Sequence, residues 1–154
     1  MPLYFEDLVV GKVERFGRYE VTREEVIDFA SKYDPQPFHL DDAAAAESIF
    51  GRLAASGWHT AAMAMRMIVE HWKETGMAES SRGGLGVDDL RWPHPTYPGD
   101  TLSVEIELLG KRESKSRPDV GIIRSRWSVF NQRDEAVMTV ISNGLVARRP
   151  SADA

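Results

Sequence analysis

Residues 56–76 read SGWHTAAMAMRMIVEHWKETG, and the fold turns on this stretch. Ser56 can cap a helix and Gly76 can end one, with Ala61, Ala62, Met63, Ala64, Met65, Met67, Ile68, Val69 and Trp72 between them. The first half is apolar on nearly every side. A helix of that kind has to be enclosed by other structure, and in a chain of 154 residues the expected wrapper is a curled sheet.

The flanking sequence supplies such a sheet. After Gly83 and Gly84 the pattern alternates with period two over residues 85–92, 101–113, 120–130 and 136–147, as in a sheet with one buried face. Pro98-Gly99-Asp100 and the polar run 131–135 supply turns. On the N-terminal side, residues 13–21 read as a first strand. Thr22 and Glu25 form a capping-box pair, and Val26, Ile27, Phe29, Ala30 and Tyr33 then share a face, giving a helix over 23–33. Pro35 and Pro37 stop it and stiffen the loop beyond. Asp41 can cap a second helix over 42–50, closed by Gly51. One strand, then helices, then four strands is an α+β order that suits an antiparallel sheet wrapped round a long helix. A single domain over 1–149 with a loose tail at 150–154 is expected.

Composition narrows the chemistry. There is no cysteine, so disulfides, thiolate nucleophiles and Cys-ligated metals are excluded. The start of the chain has neither the basic residues nor the apolar run of a signal peptide, and residues 61–69 are too short and too interrupted by Arg66 to span a bilayer. A cytoplasmic protein with no membrane partner is expected. A net charge of −5 gives no footprint for nucleic acid.

The segment Asp34-Pro35-Gln36-Pro37-Phe38-His39-Leu40-Asp41 sets a carboxylate and an imidazole five positions apart across a proline-stiffened loop. A bent loop can aim both at one point, and such a pair can hold and deprotonate a water while passing a proton. The plainer alternative is a surface turn in which Asp34 caps the chain and His39 is merely exposed. A metal site built from His39, Asp34, Asp41 and His59 matches no recognised ligand spacing, and no metal or cofactor is expected. His71 is expected on the exposed part of the long helix, and His94, between two prolines, in a loop. Met63, Met65 and Met67 read first as adaptable core and second as a tunnel lining. Trp58 and Trp92 read first as core or interface residues and second as pocket walls.

This loop resembles the hydratase motif of MaoC-like dehydratases and R-specific enoyl-CoA hydratases, in which an Asp, four residues and a His are followed by an apolar residue and an Asp. Asp34, Pro37, His39 and Asp41 stand in those places, with Gln36 where Asn is usual. Phe50-Gly51-Arg52-Leu53-Ala54-Ala55-Ser56-Gly57 resembles the family segment entering the central helix, with Ser56 where a His is common. Pro95-Thr96-Tyr97-Pro98-Gly99-Asp100-Thr101-Leu102 resembles the family turn into the next long strand. The resemblance implies a hotdog fold and a hydratase or dehydratase that interconverts a trans-2-enoyl-CoA and an R-3-hydroxyacyl-CoA. It implies that Asp34 and His39 hold the water and that the amide of Gly57 polarises the thioester carbonyl. Ser56, Trp58 and His59 are then expected near the substrate. Lys115 and Arg117, in the basic 114–118 turn, are either a coenzyme A phosphate contact or a solvated hairpin. A homodimer or higher homo-oligomer is implied as well. A hotdog thioesterase and a non-catalytic acyl-thioester-binding protein remain alternatives. The thioesterase usually carries a helix carboxylate, and the first acid on this helix is Glu70.

Overall fold

In the computed structural model, which describes residues 1–152, five antiparallel strands curl round one long helix. The strands are β1 (Val13–Glu20), β2 (Ser81–Arg91), β3 (Thr101–Glu113), β4 (Val120–Phe130) and β5 (Ala136–Ala147), in the order β1-β3-β4-β5-β2. This is the hotdog layout. The last two positions of the expected tail lie outside the described residues.

Helix α1 (Arg23–Tyr33) starts where Thr22 Oγ1 accepts the amide of Glu25 at 3.2 Å, and it buries Val26 and Ala30. Helix α2 (Asp42–Ala46) is capped by Asp41, whose Oδ2 accepts the Ala44 amide at 2.9 Å. It is shorter than expected. The Ser48 hydroxyl donates to the Ala45 carbonyl at 2.6 Å and accepts from the Phe50 amide, so a side chain takes the place of the next helical bonds.

Helix α3 (Gly57–Thr75) is the axis of the fold. Met63, Ala64, Met67 and Ile68 pack on Leu102 and Val104 of β3, Val129 of β4 and Met138 and Val140 of β5. Each of these side chains larger than alanine, fully buried, contributes roughly 1.5–3 kcal/mol. The helix is not enclosed on every side, however: Trp58, Ala62, Arg66 and Glu70, four residues apart, form an exposed stripe. Trp58 is 58% exposed and so is not a core residue. The His71 ring, expected in solvent, stacks on Phe16 of β1 with centroids 3.8 Å apart, and Nε2 lies 3.4 Å from Glu14.

Gly76, at φ 88°, ends α3 in the left-handed conformation, and a short α4 (Met77–Ser80) follows directly. The glycines after it lie inside β2 rather than before it. Gly84 and Gly86 pair with Gly144 and Asn143 of β5 through an irregular register, so the glycines mark bulges rather than a boundary. β2 is an edge strand, with Leu85 and Val87 more than half exposed. Among the described residues, no helix is long and apolar enough to cross a membrane.

Candidate active site

Asp34 is the C-cap of α1, its amide still bonded to Ala30, and Pro35 turns the chain out of the helix immediately after it. A single turn of 3-10 helix, Pro37–His39, then brings the imidazole back toward the carboxylate. His39 is 4% exposed, and its Nε2 lies 3.4 Å from Asp34 Oδ2. Two residues clamp the carboxylate. Ser56 Oγ donates to Oδ2 at 2.7 Å, and Gln36 Nε2 donates to Oδ1 at 2.7 Å. Burial pushes the Asp34 carboxyl up, but these two donors and the nearby His39 together hold it below the usual carboxylate range.

The other nitrogen of His39 fixes its tautomer. Nδ1 lies 2.7 Å from the carbonyl of Ala54, which can only accept, so Nδ1 carries the proton. In the neutral ring Nε2 is therefore a bare lone pair facing Asp34 and the space beside it.

That space is a cavity of about 530 Å³, within the size range of small-molecule sites. Asp34, Gln36 and His39 form one part of its wall, Gly57, Trp58 and Thr60 of α3 a second, and Phe38, Phe50, Trp92, Thr96 and Val137 supply most of the rest. Asp34 is the one carboxylate among the described lining residues. The amide of Gly57, first in α3, has no partner among the described residues, as expected for the first turn of a helix. A Cβ at Gly57 would sit 2.5 Å from the Trp92 ring, so the missing side chain is used by Trp92 as well as by whatever approaches the amide. Trp58 and Trp92 meet edge to face at 5.2 Å and form part of the cavity wall.

Of the residues singled out in the sequence, Asp34, His39, Gly57, Trp58, Trp92 and His94 line this cavity. Ser56 does not line it. It is fully buried, capping α3 through the Trp58 amide while donating to Asp34. His59 lies on another side of α3, in a separate hollow of about 250 Å³. Its ring stacks on Phe29 at 4.7 Å, and Nε2 lies 3.1 Å from Glu25 Oε1. Glu25 also accepts the Tyr19 hydroxyl, and burial together with that carboxylate pushes the Tyr19 phenol up to about 12. Asp41 is occupied as the α2 cap. Lys115 and Arg117 lie in the β3–β4 hairpin. Thr96 and Val137 set the cavity at the opposite end of β3, whose 13 residues, at roughly 3.4 Å each, separate the two ends by about 40 Å. Glu70 pairs with Arg66 on the surface at 2.6 Å. A distinct apolar hollow of about 350 Å³ lies under the second half of α3, walled by Met65, Trp72, Ile106, Leu108 and Trp127 among others.

Sequence reasoning notes Gln36 only as a departure from the motif, without a role, and does not reach the Ala54 carbonyl. Gln36 is legible as the one amide side chain inside the loop; a backbone acceptor 15 residues from His39 leaves no sequence signal.

Comparison with known proteins gives a consistent result. The profile of the family described as "MaoC like domain" matches residues 7–126. The crystal structure of a MaoC-like dehydratase from Rhodospirillum rubrum superposes with a TM-score of 0.87 at 45% identity, covering 97% of this chain and 99% of that one. The (R)-hydratase from A. caviae involved in PHA biosynthesis superposes with a TM-score of 0.67 at 26% identity, covering 94% of this chain and 99% of that one. The 3-hydroxybutyryl-CoA dehydratase of Methylorubrum extorquens is 31% identical over 107 residues, which is 69% of this chain and 64% of that protein.

Proposed function

Since the chain belongs to the family of MaoC-like domains, we propose that it interconverts a trans-2-enoyl-CoA and an R-3-hydroxyacyl-CoA, using Asp34 and His39. The observation that carries this reading is His39 Nε2 lying 3.4 Å from the Asp34 carboxylate, with both residues on the wall of a cavity that also presents the Gly57 amide.

Hydration begins with a water held between Asp34 Oδ2 and His39 Nε2. The water oxygen bonds to the β-carbon, its proton passes to Nε2, and the electron pair of the double bond moves to the thioester oxygen. The Gly57 amide, at the positive end of the α3 dipole, stabilises the resulting enolate. Asp34 orients the water and balances the imidazolium. The imidazolium then protonates the α-carbon, which restores the carbonyl and the neutral histidine. Dehydration is the reverse. Asp34 is a poor choice for the proton acceptor, because two donors already occupy it and its pKa is lowered. His39 Nε2 has no such partner. The resemblance to the (R)-hydratase and the 3-hydroxybutyryl-CoA dehydratase supports both the acyl-CoA substrate class and the R configuration. Glu70 lies at the surface rather than in the cavity, which weighs against the thioesterase alternative.

The exposed β2 edge, with Leu85 and Val87 uncovered, supports a homodimer formed by pairing of that edge. Sedimentation at micromolar concentration is expected to give a dimer or larger, and a monomer contradicts this. A cytoplasmic location is proposed on composition alone.

The test is product identity. Crotonyl-CoA is expected to yield R-3-hydroxybutyryl-CoA, with no thiol released. Release of free coenzyme A, or formation of the S product, overturns the reading.

A further inference from the structure

Thr60 and Thr96 supply the side-chain hydroxyls of the cavity wall, and they are sealed from solvent at 1% and 2% exposure. Their oxygens lie 3.0 Å apart in a single hydrogen bond. Two hydroxyls carry two protons and that bond uses one. Neither oxygen makes another hydrogen bond within the described residues, so one O–H is left over whichever way the bond runs. A buried donor with nothing to accept it is costly, and it invites an acceptor that arrives with a ligand.

Position suggests which acceptor. Thr60 follows Gly57 by three residues on α3, so the two lie on one face of the helix. Helical side chains lean toward the N-terminus, which carries the Thr60 hydroxyl over the turn that begins at Gly57. Thr96 faces it from the segment before β3, held by its carbonyl, which accepts the Ala55 amide at 2.8 Å. The spare hydroxyl proton and the unpaired Gly57 amide therefore belong to one section of wall.

Resting on the hydratase reading above, we propose that the Thr60–Thr96 pair is the second hydrogen-bond donor to the thioester oxygen and so acts catalytically beside the Gly57 amide. As water adds to the β-carbon, the electron pair of the double bond comes to rest on that oxygen. One amide leaves a second lone pair of the enolate unserved, and the spare O–H serves it without giving up its proton. The second hydroxyl, bonded behind the first, polarises it and strengthens the contact. When His39 protonates the α-carbon, the charge leaves the oxygen and the contact relaxes.

The experiment uses the full-length protein and three variants: Thr60→Val/Thr96→Val, the corresponding double serine, and Thr96→Val alone. Two readouts are taken, hydration of crotonyl-CoA and the red shift of bound 2,4-hexadienoyl-CoA, which reports polarisation of the conjugated carbonyl in the absence of turnover. The double valine is expected to lose about 100-fold in kcat with KM changed by no more than about threefold, because the donor acts on charge present only in the transition state. It is also expected to lose part of the red shift. Thr96→Val loses less, since the Thr60 hydroxyl remains, and the double serine recovers both readouts. If the double valine melts early, the single variant and the serine pair carry the comparison. A kcat within about twofold of the parent with an undiminished red shift overturns the proposal, as does a rise in KM alone. A parent that hydrates no enoyl-CoA, yet shows a red shift that the valines abolish, removes the hydratase reading and leaves the carbonyl contact standing. A parent that binds neither thioester overturns both.

Discussion

Two buried histidines sit on either side of the start of α3, and each has a ring nitrogen near a carboxylate. His39 Nε2 is 3.4 Å from Asp34 and His59 Nε2 is 3.1 Å from Glu25. Burial and a charged neighbour therefore do not distinguish them. The opposite nitrogen does. In His39 the Ala54 carbonyl fixes the proton on Nδ1, so the nitrogen facing Asp34 and the cavity is the basic one. In His59 the Glu25 carboxylate takes a hydrogen bond from Nε2, and the bare Nδ1 is buried with no partner. The first histidine presents its lone pair to a cavity that can hold water; the second seals it in protein. His59 instead ties α1 to the first turn of α3 through Glu25 and Phe29, and α1 is the helix whose last cap is Asp34.

Substitution can break this contrast most sharply at the two rings themselves. His39→Gln is expected to lower kcat by roughly 10²–10⁴-fold with the fold intact. His59→Gln is expected to cost about 1–3 kcal/mol of stability through lost stacking and bonding, with a much smaller kinetic effect. Equal losses of kcat at the two positions, from steady-state rates beside thermal melts, would erase the distinction. Next comes Gly57→Ala, where the new methyl meets the Trp92 ring. It is expected to destabilise by about 1–3 kcal/mol, and a Trp92→Leu change in the same chain should recover most of that loss.

A subtler effect is expected at Ser56→Ala. Asp34 must be ionised to act, and its lowered pKa keeps it ionised below the ordinary carboxylate range. Removing the Ser56 donor raises that pKa, so the Asp34 carboxyl, followed by carbon NMR, is expected to titrate at higher pH. The same change acts on stability. A depressed folded-state pKa contributes stability that is present above the unfolded value and lost as pH falls through the folded one, so the alanine variant gains less on going from acid to neutral pH. An unmoved Asp34 titration counts against the clamp. The smallest effect belongs to the hairpin. Lys115→Ala with Arg117→Ala is expected to leave kcat and KM within about twofold, as for surface substitutions generally. A raised KM at unchanged kcat would assign the hairpin to coenzyme A.

The layout is legible because its signals are periodic. The alternating Leu102, Val104 and Ile106 and the enclosed Met63, Met67 and Ile68 pack in one core, as their pattern requires. The glycines near β2 mislead, since the same residue marks a boundary and a bulge. Ser48 ends α2 through a side-chain bond that periodicity does not encode. At the site, Asp34 and His39 are legible from five-residue spacing in a stiff loop. Ser56 stands out as a departure, but its contact with Asp34, 22 residues away, depends on how α1 and α3 pack. His59 cannot be placed on the correct side of α3 from sequence, because a helix of uncertain rotation offers a histidine to either side.

The most direct measurement is the loss of enoyl absorbance when pure protein meets crotonyl-CoA and a longer trans-2-enoyl-CoA, run beside the Asp34→Asn variant. The expected result is a loss of absorbance with the parent and a rate reduced by about 10²–10⁴-fold with the variant, at equal melting temperature. Full turnover by Asp34→Asn would contradict the assignment of the chemistry to this cavity.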